Sequence, residues 1–233
     1  MAFHRTLKLS RKLFILTGTF AACQLYAGTV AINNASFEAD VLGFGAFTNN
    51  VLTGWTVVAA SSDLVGAYHP NTFTDAVPDG SNTAYVNPGG TFYQDVAALA
   101  ANTTYTLGVF VGQRTDIPLP SYNIQLLDAT TSLVLASGIP SAPGAGHFVH
   151  FNLMFDSAAF ASSVGDHIRI EFSATGTNAL SQVNFDEVTL GTSLDSTVPE
   201  PRSFGLTLLG LGAIGVVCIA GKKRSKLDRA SIG

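Results

Sequence analysis

Cysteine is almost missing from this chain of 233 residues: Cys23 and Cys218 are the only two, one towards each end. The stretch between them can form no disulfide, no thiolate zinc site and no cysteine nucleophile, so it must stand on its hydrophobic core alone. Lysine is absent from Lys12 to Lys222, and between residues 28 and 201 only Arg114 and Arg169 oppose fifteen Asp and Glu, a net charge of −13. A surface of that sign repels phosphate backbones, which excludes nucleic-acid binding through a basic footprint. It favours solubility and divalent cations instead. The cationic residues sit at the ends: Arg5, Lys8, Arg11 and Lys12 within residues 1–27, then Arg202, Lys222, Lys223, Arg224, Lys226 and Arg229 within residues 202–233, leaving −4 for the whole chain.

Catalytic spacings are lacking too. His69, His147, His150 and His167 form no H-E-x-x-H or H-x-H pattern, and no G-x-S-x-G elbow occurs. On a strand, His147 and His150 would face opposite sides, which argues against a shared metal. A pair of glycosidase carboxylates cannot be nominated from spacing, since they would come from distant strands. The expectation is therefore a protein that is not an enzyme, with a secreted hydrolase as the lesser alternative.

Amphipathic helical periodicity is also absent, and what replaces it is period-two alternation. Tyr105, Leu107, Val109 and Val111 share one face, as do Val149, Phe151, Leu153 and Phe155, and Ile168, Ile170 and Phe172. β-branched and aromatic residues at that spacing predict half-buried strands. Strands are expected near 29–33, 51–59, 83–87, 91–98, 103–113, 121–128, 131–137, 147–156, 167–175 and 181–191, parted by breakers such as Pro78-Asp79-Gly80 and Asn87-Pro88-Gly89-Gly90. Many short strands of this kind predict an all-β antiparallel β-sandwich, a jelly roll, over residues 28–191, with a barrel as the alternative. Within the last run Val183 and Phe185 alternate, but Val188 and Leu190 have changed parity, so a β-bulge is expected around Asp186-Glu187.

The two ends read as addresses. Residues 1–27 combine a basic start, the apolar run Leu13–Cys23 and Leu25-Tyr26-Ala27, which predicts a secretory signal peptide cut after Ala27. Lipidation of Cys23 is the competing reading, with Phe20 a poor fit to it. At the other end residues 192–202 form a linker containing Val198-Pro199-Glu200-Pro201. Residues 203–221 carry no charge and are long enough for one transmembrane helix, and residues 222–233 form a basic tail that the positive-inside rule places in the cytoplasm.

That three-part layout at the carboxyl end resembles the PEP-CTERM sorting signal. The resemblance implies a bacterial envelope with exopolysaccharide and an exosortase-type membrane peptidase acting at Val198, Pro199, Glu200 and Pro201. Arg202 stands where a small hydroxyl residue is common, and Leu227–Gly233 trail the basic cluster. The chain is expected to be exported, tethered to the inner membrane, and then delivered to the cell surface or matrix; a permanently retained anchor is the alternative.

Farther upstream, Asn33-Asn34-Ala35-Ser36-Phe37-Glu38, Gly54-Trp55, Pro78-Asp79-Gly80-Ser81, Phe92-Tyr93-Gln94, Thr104-Tyr105-Thr106-Leu107 and Val183-Asn184-Phe185-Asp186-Glu187-Val188 follow in order. Together they resemble the galactose-binding-like jelly rolls of carbohydrate-binding modules. The resemblance implies first and last strands lying close together, with a structural Ca2+ held at Glu38 and Asp186. The alternative for these acids is a solvated or turn-capping role.

A sugar-binding sandwich needs aromatic faces for stacking and polar neighbours for hydroxyls. Trp55, Tyr68, Tyr85, Tyr93 and Tyr122 supply the rings, with Gln94, Asn123 and Arg114 as polar partners. Trp55 is expected in the core, and Tyr68 at the surface of a Pro-containing loop. The overall expectation is a non-enzymatic envelope protein binding polysaccharide or calcium, or a structural surface protein with no ligand site.

Overall fold

The structure, a computed structural model, describes residues 27–194. The expected signal peptide, apart from Ala27, the Pro-Glu-Pro motif, the apolar segment 203–221 and the basic tail lie outside the described residues. Among the described residues no helix is long and apolar enough to cross a membrane.

Eleven strands make two antiparallel sheets: β1 (Ala27–Thr29), β2 (Thr56–Ala59), β3 (Val65–Tyr68), β4 (Thr83–Val86), β5 (Gly90–Ala98), β6 (Thr103–Gly112), β7 (Ser121–Asp128), β8 (Val134–Gly138), β9 (Phe148–Asp156), β10 (His167–Thr175) and β11 (Val183–Leu194). The first sheet runs β3-β4-β11-β6-β9, with β1 on the far end of β11, and the second runs β2-β5-β10-β7-β8. First and last strands therefore pair, Gly28 opposite Thr192. The all-β sandwich expected from alternation is what forms.

Alternation places the core between the sheets. Phe92, Phe172 and Phe185 are fully buried there. Phe92 stacks on Phe172 at 4.9 Å, Phe172 meets Phe185 at 4.6 Å, and Trp55 closes edge-on at 5.2 Å from Phe92. Trp55 belongs to the core, as its position after Gly54 predicts.

Three local differences from the sequence reading have physical causes. β3 goes unpredicted because all four of its residues are buried, which erases the alternation a half-buried strand would show. The run 51–59 contributes only Thr56–Ala59 to a strand. A short 3-10 helix, Ser157–Ser163, links β9 to β10, with the Asp156 side chain accepting from the Ala158 N–H. The bulge is where parity places it: β11 slips against β6 between Asp186 and Thr189, and Glu187 takes a positive φ of 49°.

Candidate functional site

On the outer face of the first sheet, β3 and β4 present Tyr68 and Tyr85, the latter opposite Gly66 in register. The segment 45–50 runs along β3 through backbone bonds, Thr48 N–H to Ala67 O at 2.9 Å and Asn50 N–H to Val65 O at 2.7 Å. This brings Phe47 edge-on to Tyr85 at 6.1 Å, and the Tyr85 hydroxyl donates to Thr48 O at 2.7 Å. Gly66 permits the approach, since a Cβ there would overlap the Thr48 carbonyl oxygen and the Tyr85 ring.

Beyond β6, Arg114 lies over the Tyr68 ring at 4.9 Å. It donates to Asp116 through Nε at 2.9 Å and Nη2 at 2.7 Å, and to Gln182 Oε1 at 3.1 Å. Asp63 and Asn87 stand at the cavity wall too, with Asn87 Nδ2 donating to Asp63 O at 2.6 Å. The cavity is half open to solvent and measures about 150 Å³. Burial, and then the charge of Asp63, pushes the Tyr85 phenol up to about 12, so it stays protonated. Burial alone would lower the Arg114 guanidinium, but its bonds to Asp116 reverse that and raise it.

A second cluster gathers around the bulge. Asp186 is fully buried, and its carboxylate accepts from Asp79 N–H at 2.9 Å and Glu187 N–H at 2.7 Å. Glu38 Oε1 accepts from Ser81 N–H at 2.7 Å and Asn82 N–H at 2.6 Å, and the Ser36 hydroxyl donates to Asp79. Gly80 lies against the Glu38 carboxyl so closely that a Cβ would overlap it. Desolvation pushes the Asp186 carboxyl up to about 8; the two N–H bonds oppose this, and the charges of Asp79 and Glu38 add to it. Among the described residues no three His, Cys, Asp or Glu side chains are grouped to hold a metal ion. What the cluster does offer is hard oxygen donors and a buried carboxyl that bears the repulsion of two acids.

The remaining sequence candidates separate. Tyr68 is a correction: it is buried in β3, its hydroxyl donating to Asn71 Oδ1 at 2.7 Å, because the chain turns only after it. Tyr122 points into the sandwich against Phe185 at 6.1 Å rather than outward. Gln94 is consumed by the 33–54 loop, accepting from Asn33 N–H at 2.8 Å and donating to Asn33 O and Gly54 O. Tyr93 is on the outer face of the second sheet beneath Arg169, whose guanidinium sits 3.8 Å from the ring centre. So Tyr68 and Arg114 share one cavity, Glu38 and Asp186 share one cluster, and Tyr93, Gln94 and Tyr122 go elsewhere. His147 meets Asp75 at 3.0 Å, whereas His150 packs against Phe110. Sequence reasoning misses Phe47, Asp63, Asn87 and Gln182, which come from loops and strand ends without periodicity.

Solved structures share this fold. A Stig cyclase, Fisc, from Fischerella sp. TAU in complex with (3Z)-3-(1-methyl-2-pyrrolidinylidene)-3H-indole is 24% identical with a TM-score of 0.63, over 72% of this chain and 98% of that one. A cyclase from Fischerella sp. TAU in complex with 4-(1H-indol-3-yl)butan-2-one is 24% identical with a TM-score of 0.64, over 73% of this chain and 100% of that one. A CBM4 structure is among the neighbours at 20% identity and a TM-score of 0.46, over 70% and 99% of the two chains. No curated protein matches the chain.

The PEP-CTERM protein-sorting motif matches residues 197–224, as the layout of the tail implies. That motif supports export and membrane-associated sorting, with processing by an exosortase, itself a membrane protein. The expectation of a protein that is not an enzyme is overturned, because the family model described as HpiC1 cyclase matches residues 28–191 and points to a cyclase catalytic domain. Over its whole sandwich, the chain belongs to the HpiC1-like cyclase family.

Proposed function

We propose that this protein is an exported, membrane-sorted cyclase whose active site is the cavity between Phe47, Tyr68, Tyr85 and Arg114. The observation that carries the reading is that cavity: three aromatic side chains and a fixed guanidinium lining a half-open hollow of about 150 Å³ on a chain of a cyclase family. Ring closure needs a flexible substrate held in a near-attack shape, which rigid aromatic walls supply. Ring faces also stabilise positive charge that develops as bonds form. Arg114, held by Asp116 and Gln182, positions the Tyr68 wall, and Asp63 is the carboxylate at hand for proton transfer.

The compound 4-(1H-indol-3-yl)butan-2-one, bound by the Fischerella cyclase, is a suitable first probe. Calorimetric titration of the full-length protein in detergent is expected to show binding. Phe47→Ala should weaken it about tenfold by removing one aromatic contact. Phe47 is exposed, so the melting temperature should hold. Equal affinity in the variant, or no binding by the parent protein, rejects this cavity as the site.

A structural calcium at Glu38 and Asp186 accompanies this reading. It is supported by the buried Asp186 carboxyl, raised to about 8 beside Asp79 and Glu38. A bound divalent cation would neutralise the cluster and stabilise the folded state by mass action. After chelation, calcium at millimolar concentration should raise the melting temperature, and Asp186→Asn should abolish the rise. A melting temperature indifferent to calcium removes the metal from the proposal.

A further inference from the structure

The described residues carry thirteen Asp and Glu against two arginines and no lysine, a net of −11. Both arginines are already engaged: Arg114 with Asp116 at 2.7 Å, Arg169 with Asp95 at 2.7 Å. A ligand approaching this domain meets a negative field with no unpaired Arg or Lys among the described residues to receive an anion.

The polar groups of the aromatic cavity repeat that bias at close range. Most of its donors are engaged: the Tyr85 hydroxyl on Thr48 O, three of the five Arg114 N–H groups on Asp116 and Gln182, and Gln182 Nε2 on Asn184 Oδ1 at 3.1 Å. Its acceptors are not. Asn87 Nδ2 is pinned to Asp63 O, which fixes the amide so that Oδ1 is the other end. That oxygen is buried and has no hydrogen-bond partner among the described residues. It has almost no accessible surface, so a donor reaches it only where the wall shifts. The Asp63 carboxylate stands at the same wall, and the rings of Phe47, Tyr68 and Tyr85, whose faces carry negative quadrupoles, line the cavity. Arg114 over Tyr68 shows a cation already resting on one such face.

We propose that this cavity selects a small organic cation, an ammonium bearing at least one N–H on a ring-containing body. Its N–H groups meet the Asp63 carboxylate, and its apolar part lies among Phe47, Tyr68 and Tyr85. The proposal rests on this cavity being the ligand site, and it names the substrate class that site takes. A carboxylate or phosphate would find Arg114 already neutralised by Asp116 and Asp63 repulsive, so the same arrangement disfavours anions.

Three probes of one shape separate the outcomes: 2-phenylethylammonium, 2-phenylethanol and 3-phenylpropanoate, titrated calorimetrically into the full-length protein in detergent at neutral pH. The ammonium is expected to bind at least about tenfold more tightly than the alcohol, to weaken with salt, and the carboxylate not to bind. Asp63→Asn should cost the ammonium about tenfold and leave the alcohol unchanged. Asn tolerates the positive φ of 61° at this position, so the variant keeps its backbone. An alcohol that binds as tightly as the ammonium overturns the cation preference while leaving the cavity reading standing. Ammonium binding that Asp63→Asn does not change places the cation elsewhere and overturns the proposal. If neither ring compound binds, the cavity reading itself falls.

Discussion

Asp186→Asn, assayed without calcium, should remove a slope of stability with pH that the parent protein shows between about pH 5 and pH 8. Asp186 is fully buried and raised to about 8 from the ordinary 3.8, by burial first and by Asp79 and Glu38 after it. Below about pH 4 folded and unfolded chains both hold this proton, and the group's contribution to stability is fully present. As pH rises from there, the unfolded chain releases the proton while the folded one keeps it, so stability falls until about pH 8 and then levels. Three pH units of that window correspond to about 4 kcal/mol. Asp75 and Asp116, both lowered, act in the opposite sense, but their stabilisation is lost only as pH drops below the ordinary carboxylate range. Denaturant melts of parent and variant at pH 5 and pH 8 isolate the residue, because other titrating groups cancel in the difference. The expected change in that difference is about 4 kcal/mol. Parallel pH profiles would show that Asp186 is ionised throughout.

Gly66→Ala is expected to weaken probe binding more than tenfold while the sandwich stays folded. A Cβ at this position collides with a backbone oxygen, Thr48 O, as well as with the Tyr85 ring, and the backbone oxygen cannot yield by a side-chain swing. The segment 45–50 must move off β3, which takes Phe47 from the cavity and breaks the Tyr85 bond to Thr48 O. Overpacking of this kind costs about 1–3 kcal/mol. Binding of the indole ketone should weaken more than tenfold, beyond the effect of Phe47→Ala, because two walls are lost together. The control is Gly43→Ala, whose Cβ would meet nothing within 4 Å. Parent-like affinity in Gly66→Ala would show that segment 45–50 does not form the site.

The bulge at Asp186 was legible because a parity change between Phe185 and Val188 is a local property of one strand. So was the interior place of Trp55. Tyr68 was not, since Pro70 two residues on suggests a loop and a fully buried strand has no alternation to read. Gln94 looked available to a ligand because nothing in its own strand shows that the carbonyls of Asn33 and Gly54 lie against it. The acids Glu38 and Asp186 could be paired only by resemblance, across 148 positions. Their meeting follows from the turn at Asp79–Asn82, whose N–H groups both carboxylates bind.

The sequence by itself determined the sandwich, its acidic surface and the sorting motif at its end. Each of these is written in period, in charge count or in a contiguous segment, so no partner strand is needed to read it. Tertiary structure alone decided the cavity. Phe47, Asp63, Asn87, Arg114 and Gln182 meet because β3, β4 and β11 lie side by side and because Gly66 lets a neighbouring segment close over them. No spacing along the chain encodes such a meeting, since the side chains converge through strand order and the loops between strands set their direction.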